Sequence, residues 1–173
     1  MTLNEPKKTR ELYELTLSID PFDSETHFNL ATLIYTHFKD FNNAIVNFEQ
    51  SIELNPSAIA FQNYGLLLKD KLAQPDNAKI QFEKGLILEP TNKILLKQLG
   101  LLYQDDYKDF LRAKVYFDKF IVLNPNSHDH YFYTLFLLLM NVKEYKPLAR
   151  DHYKRACQLN PSLQDSILEQ MMN

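Results

Sequence analysis

Hydrophobic residues recur at helical spacing along this chain, in pairs of short runs that polar segments separate. In the first pair, Phe28 and Ile34 lie on one helical stripe, and Ala44 and Phe48 lie on a second. The polar segment THFKDFNN stands between the two stripes. The same two-stripe pattern follows three more times. The pattern therefore predicts four hairpins, each made of two antiparallel helices.

Prolines mark the end of each pair of runs, and each follows an aliphatic residue and then Asp, Asn or Glu. They are Pro21, Pro56, Pro90, Pro125 and Pro161. Successive prolines stand 34 to 36 residues apart, which is a period typical of repeat proteins. Because proline lacks an N–H and disfavours helix at the residue before it, each one closes a helix at the same point of its unit. The predicted repeats cover residues 22–56, 57–90, 91–125 and 126–161.

The motifs inside the repeats resemble those of the tetratricopeptide repeat family. The second helices carry the family's pattern of an alanine followed four positions later by an aromatic residue, as AIVNF (44–48), AKIQF (78–82), AKVYF (113–117) and ARDHY (149–153). The first helices match as FNLA (28–31), NYGLLL (63–68) and QLGLLY (98–103). The chain departs from the family in lacking tryptophan and in placing Phe136 where a small residue is expected.

This resemblance implies an all-α fold over a single domain, residues 1–173. The fold would be a right-handed superhelical solenoid of about four antiparallel helix hairpins. A helix at about 7–20 and another at about 162–172 would cap its ends, with Leu163, Ile167 and Met171 on the packing stripe of the second. Alternatively, one of the two end helices carries a binding surface.

Composition narrows the classes of function. Of 173 residues, 45% are hydrophobic and 24% charged, which is typical of a folded protein. The net charge of −3 gives no basic surface for nucleic acid or for an anionic membrane. The longest apolar stretch, residues 131–140, is about half of the ~20 residues that span a bilayer. The single cysteine, Cys157, and the lack of a signal sequence favour a cytoplasmic protein.

The sequence offers little for catalysis, and we expect no catalytic residue, no metal site and no cofactor. His128 and His130 stand two apart at a helix start, where their side chains point in different directions. Cys157 has no local catalytic signature and matches a packing position. The carboxylates of QDDYKD (104–109) lie in a predicted hairpin turn, where acidic residues cap helices.

A partner protein is the expected ligand. In the tetratricopeptide family the first helix of each unit lines a concave groove that receives peptides or helices. The matching residues here are Phe28, Asn29, Tyr35, Ile59, Asn63, Leu66, Ile94, Lys97, Gln98, Leu101, Tyr133 and Leu137. Asn29, Asn63 and Gln98 take the same place in three units, with Thr134 in the fourth, and side-chain amides can bond a peptide backbone. The many apolar members favour an amphipathic helix or an extended apolar segment.

One family subgroup binds acidic tails through lysine, arginine and asparagine side chains. Of that set only Asn63 is present here, since Phe28, Thr32, Ile94 and Gln98 stand in the other places. The chain is therefore predicted to be a non-enzymatic adaptor or scaffold. The alternatives are a small secretion or assembly chaperone and a constitutive subunit of a larger complex. The groove could also be filled by the chain's own terminal helix.

Overall fold

The computed structural model describes residues 5–123 and 126–172, and within these ranges the chain forms helices and loops without a strand. Ten α-helices follow one another within the described residues: α1 Glu5–Ile19, α2 Ser24–Leu33, α3 Phe41–Leu54, α4 Ala58–Asp70, α5 Pro75–Leu88, α6 Lys93–Asp105, α7 Phe110–Leu123, α8 Ser127–Leu139, α9 Lys146–Leu159 and α10 Ser166–Met171. A π-helix, Ile34–Phe38, extends α2, and two short 3-10 helices occupy Lys143–Tyr145 and Pro161–Leu163. The predicted all-α repeat solenoid is confirmed.

The helices belong to two compact units, Met1–Leu99 and Gly100–Asn173. In the first unit α2 packs against α3, and α4 packs against α5. In the second unit α8 packs against α9 in the same way. Each of these pairs is one of the predicted helical hairpins.

The prolines that mark the repeats stand just after helix ends, as predicted. α1, α3, α5 and α9 each stop two residues before Pro21, Pro56, Pro90 and Pro161 respectively. Pro125 lies outside the described residues. A polar side chain then caps the next helix. Ser57 Oγ accepts a hydrogen bond from the N–H of Ala60 at 3.2 Å, and Asp23, Asn92 and Asn126 cap α2, α6 and α8.

Each hairpin turns through one residue with a left-handed backbone. These residues are Lys39, Ala73, Lys108 and Asn141, with φ between 51° and 56°. None is glycine, although a β-carbon makes this region costly, so the turns hold local strain. The first of them, Lys39, donates its N–H to Ile34 O at 2.9 Å and closes the π-helix.

The two helices of a hairpin approach each other at a small residue eight positions after the cap of the first helix. This place is held by Ala31, Gly65, Gly100 and Thr134. All four residues are buried. In the second and third hairpins the ring of Phe82 or Phe117 fills the space that a β-carbon would take.

The fourth hairpin corrects one expectation. Phe136 was expected at the place of closest approach, but Thr134 occupies it and is fully buried. The hydroxyl of Thr134 lies 2.9 Å from His130 O and 3.3 Å from Ala149 O, so α8 and α9 are joined by a polar contact at their crossing. Thr134 is therefore a packing residue of the hairpin.

The C-terminal helix is shorter than predicted. It begins at Ser166, because Asp165 Oδ1 accepts hydrogen bonds from the N–H groups of Ile167 and Leu168 and so caps the helix there. Because the helix begins at Ser166, the side chains that it buries differ from those of the predicted stripe. Leu168 and Met172 are buried, whereas Ile167 and Met171 are exposed, so the predicted stripe was wrong.

Candidate partner-binding surface

The predicted binding residues of the first unit share a register. Counted from each cap, they stand at positions 2, 5, 6, 9 and 12 of the first helices, which we call the outward positions. Two of them also touch α3, since the ring of Phe28 lies 6.2 Å from that of Phe48 and the ring of Tyr35 lies 6.4 Å from that of Phe41. In α4 these positions hold Ile59, Gln62, Asn63, Leu66 and Lys69, of which Gln62 is buried. The equivalent predicted residues of the first unit are Phe28, Asn29 and Tyr35 from α2 and its π-helix, and Ile94, Lys97 and Gln98 from α6. We call these nine predicted residues, Phe28, Asn29, Tyr35, Ile59, Asn63, Leu66, Ile94, Lys97 and Gln98, the unit-1 face.

Aliphatic side chains on the unit-1 face reach solvent. Ile59 and Ile94 stand at the same register position and are 54% and 51% exposed. The other members of the face are half-buried. Burying the apolar area of such residues against a partner stabilises a complex by about 25 cal/mol per Å². The face can therefore supply apolar anchoring.

The amide side chains lie among these aliphatic residues. Lys69 Nζ donates to Gln98 Oε1 at 3.4 Å, which brings the outward positions of α4 and α6 together. Asn29 and Asn63 are half-buried and make no side-chain hydrogen bond within residues 5–123 and 126–172. Each of these two amides thus offers both a donor and an acceptor to a partner's backbone.

A cleft of about 460 Å³ opens at the end of the first hairpin, beside Tyr35. Its walls are Tyr35, Thr36, Lys39, Phe41 and Lys71. Burial raises the pKa of the Tyr35 phenol, and the nearby Asp70 carboxylate raises it further. The cleft therefore combines a neutral phenol with the ammonium groups of Lys39 and Lys71, and the Asp70 carboxylate lies near Tyr35.

Two residues predicted on the binding surface are buried instead. Tyr133 and Leu137, both in the second unit, are each 1% exposed. The hydroxyl of Tyr133 donates to Asp118, and its ring meets the His152 ring edge-on, with centroids 4.8 Å apart. Tyr133 and Leu137 are therefore packing residues of the second unit, and their predicted place on the binding surface was wrong.

The error came from the register of α8. Tyr133 and Leu137 stand seven and eleven positions after the cap Asn126. Those places in α4 hold Tyr64 and Leu68, which are also buried. The sequence pattern aligns Thr134 with Asn63 instead, which is two positions out of step, because no Leu-Gly motif marks α8.

The outward positions of α8 belong to residues that the sequence prediction missed. They include Tyr131, Phe132 and Leu135, of which Leu135 is 41% exposed and the others are half-buried. The place of the amides is taken by Phe132, whose ring packs edge-on against Phe117 at 5.2 Å. Leu101, predicted at the ninth position of α6, is half-buried. Counting from the Asn126 cap would have found these residues.

The described part of the chain holds no group of three or more His, Cys, Asp or Glu side chains placed to bind a metal ion. Cys157 is a half-buried free thiol. No helix among the described residues is both long and apolar enough to cross a membrane.

Comparisons with known proteins agree with this geometry. A family model described as tetratricopeptide repeat matches residues 24–57, which contain the first hairpin. No curated protein matches the sequence significantly.

Several solved structures share the fold. The crystal structure of MamA superposes with a TM-score of 0.75 at 19% identity, covering 94% of this chain and 96% of MamA. YrrB, described as a TPR protein with an unusual peptide-binding site, gives 0.69 at 18% identity over 96% of this chain and 82% of YrrB. PilF of Pseudomonas aeruginosa gives 0.69 at 20% identity, with coverages of 96% and 82%. At such identities the likeness shows the fold.

Proposed function

We propose that this tetratricopeptide-repeat protein, whose fold is a scaffold for protein–protein interaction, binds a segment of a partner protein on its unit-1 face. The observation that carries the proposal is the pair Ile59 and Ile94. Both are more than half exposed at the same register position of neighbouring first helices. Exposed aliphatic residues in register on one face are typical of an interaction surface.

The chemistry of the face favours a partner segment with both apolar side chains and an accessible backbone. Ile59, Leu66 and Ile94 would bury apolar side chains of the segment. The amides of Asn29 and Asn63 would hydrogen-bond its peptide groups or polar side chains. An extended apolar segment and an amphipathic helix both meet these requirements.

The proposal includes a non-enzymatic role. Tetratricopeptide repeats are in general interaction modules, and the unit-1 face contains amides, aliphatic and aromatic residues and one lysine. A cytoplasmic location is also part of the proposal, supported by the free thiol of Cys157.

A pair of matched variants tests the proposal. Ile59→Arg with Ile94→Arg places two charges on the unit-1 face, whereas Ile80→Arg places a charge on α5, where Ile80 is 44% exposed. Tagged wild type and both variants would be used to co-purify partners from native lysate, with identification by mass spectrometry. We expect the double variant to lose proteins that the wild type and Ile80→Arg retain. Equal recovery by all three chains, at equal helicity, would contradict the proposal.

Two further measurements separate an adaptor from the alternatives. An adaptor is soluble and monomeric without its partner, which light scattering checks. A constitutive subunit would aggregate or oligomerise alone. A chaperone would instead protect a co-expressed client from degradation, and this protection would be lost in the double variant.

A further inference from the structure

Two histidines meet across the fourth hairpin. His130 lies on α8 and His152 on α9, and their Nδ1 atoms are 2.8 Å apart. The ring centroids are 5.0 Å apart and the ring planes differ by 28°. Since this centroid distance is close to the Nδ1–Nδ1 distance plus two ring radii, the rings meet edge to edge with their nitrogens facing. The contact has the geometry of an N–H···N hydrogen bond.

A proton fits the gap between the two nitrogens better than a metal ion does. Zinc binds each imidazole nitrogen at about 2.0–2.1 Å, and a tetrahedral angle would then hold the two nitrogens about 3.4 Å apart. The observed separation is 2.8 Å. The described residues also provide no cluster with a third ligand.

The hydrogen bond depends on how many protons the two rings carry. When both are neutral, one Nδ1 donates its hydrogen and the other accepts it through its lone pair. A first extra proton can go to Nε2 of the donor ring, and the bond survives. A second extra proton puts hydrogens on both facing nitrogens, so the bond is lost and two positive charges stand side by side.

The surroundings of His130 disfavour its charged form. Burial lowers the pKa of the His130 imidazole, and the Arg155 guanidinium on α9 lowers it further. The carboxylate of Asp129, on the same helix, opposes these effects in part. His130 is therefore more neutral at a given pH than an exposed histidine.

The surroundings of His152 act in the same direction. Burial lowers the pKa of the His152 imidazole, followed by the effect of His130. The carboxylates of Asp151 and of Asp118 on α7 raise it, whereas Lys114 on α7 lowers it. The ring of Tyr133 also covers one side of His152.

We propose that His130 and His152 form a pH-sensitive latch, which holds α8 against α9 while at least one ring is neutral and releases the hairpin when both are protonated. Because the pKa values are lowered in the closed hairpin, an opened or unfolded state takes up protons first. The stabilisation is complete above the ordinary histidine pKa of about 6.5, and it declines as the pH falls from there through the lowered values.

Hydrogen exchange on the full chain, followed by mass spectrometry between pH 7.5 and 5.0, tests the latch. The hairpin of α4 and α5, which contains no histidine, corrects for the pH dependence of intrinsic exchange. We expect the protection of α8 and α9, relative to that hairpin, to fall about tenfold on acidification. His130→Gln with His152→Gln should flatten this fall, and His37→Gln, which changes an exposed histidine of the first unit, should leave it intact.

Two results would overturn the latch: no relative loss in the wild type, or the same loss in the double variant. Should the double variant not fold, imidazole NMR of the wild type decides. We expect one Nδ1–H and one Nε2–H tautomer at pH 7.5 and two separate titrations below about pH 6.5. Two Nε2–H tautomers, or two independent rings titrating near 6.5, would exclude the latch.

Discussion

Gly65 lies directly against the ring of Phe82, so closely that a β-carbon on Gly65 would stand 2.4 Å from Phe82 Cε1. In the second unit, a β-carbon on Gly100 would likewise stand 2.3 Å from Phe117 Cε1. Because Phe82 and Phe117 are fully buried, their rings have little room to move away. Glycine is therefore required at these crossings by packing.

Gly65→Ala should destabilise the protein, although alanine is the better helix former by about 1 kcal/mol. Overpacking in a buried site costs about 1–3 kcal/mol and outweighs that gain. Urea unfolding would measure the change. As a matched test, Phe82→Leu makes room for the β-carbon, so Gly65→Ala should cost less in that background than in the wild type. A higher unfolding midpoint for Gly65→Ala alone would refute the packing argument.

Ala73→Gly should have the opposite effect. Ala73 has a left-handed backbone with φ of 51°, which costs a non-glycine residue about 1–2 kcal/mol. Glycine relieves this strain but adds about 0.4–1 kcal/mol of unfolded-state entropy. We expect a net stabilisation of up to about 1 kcal/mol, seen as a shift of the urea midpoint. As a control, Ala60→Gly, within α4, should destabilise the protein. If Ala73→Gly also lowered the stability, the argument for backbone strain at Ala73 would be wrong.

Tyr64 should contribute to stability at neutral pH and lose that contribution in alkali. Its hydroxyl donates to Glu49 Oε1 at 2.8 Å, and burial, followed by this hydrogen bond, raises the pKa of the phenol. We expect Tyr64→Phe to cost about 1 kcal/mol.

The alkaline behaviour follows from the sign of the shift. With the pKa raised in the folded state, the stabilisation is complete below the unfolded tyrosine pKa of about 10 and is lost as the pH rises through the folded value. Thermal unfolding between pH 8 and 11 would show a shallower decline for Tyr64→Phe than for the wild type. Parallel declines would argue against the shifted phenol.

The register of α8 places one leucine at the surface and another in the interior. Leu135 is 41% exposed and Leu137 is 1% exposed. We expect Leu137→Arg to destabilise the second unit by more than about 3 kcal/mol, because it buries an unpaired charge. Leu135→Arg should change stability by about 0.5 kcal/mol or less. Circular dichroism during urea unfolding measures both, and similar losses would mean that the register is wrong.

Much of the fold could be predicted from the sequence because its signals are local. The proline spacing predicted the repeats, and the Ala-x3-aromatic motif predicted the second helices. The fourth hairpin was harder, since Thr134 replaces the small residue that marks the register elsewhere. The length of the last helix depended on the Asp165 cap, which competes with an earlier start at Ser162.

The exposure of the candidate binding residues could be predicted only where that register was secure. In the first unit, Ile59 and Ile94 are exposed as expected, whereas Tyr133 and Leu137 in the second unit are buried. The contact between His130 and His152 joins residues 22 positions apart on different helices. No local sequence pattern indicates such a contact, so it is seen only in the structure.

The most direct test of partner binding on the unit-1 face is site-specific photo-crosslinking. A photoreactive phenylalanine would be placed singly at Ile59, Ile94 or, as a control, Ile80, all of which are exposed. In lysate we predict that positions 59 and 94 crosslink to the same partner and that position 80 does not. Crosslinking from position 80 with none from positions 59 and 94 would contradict the account.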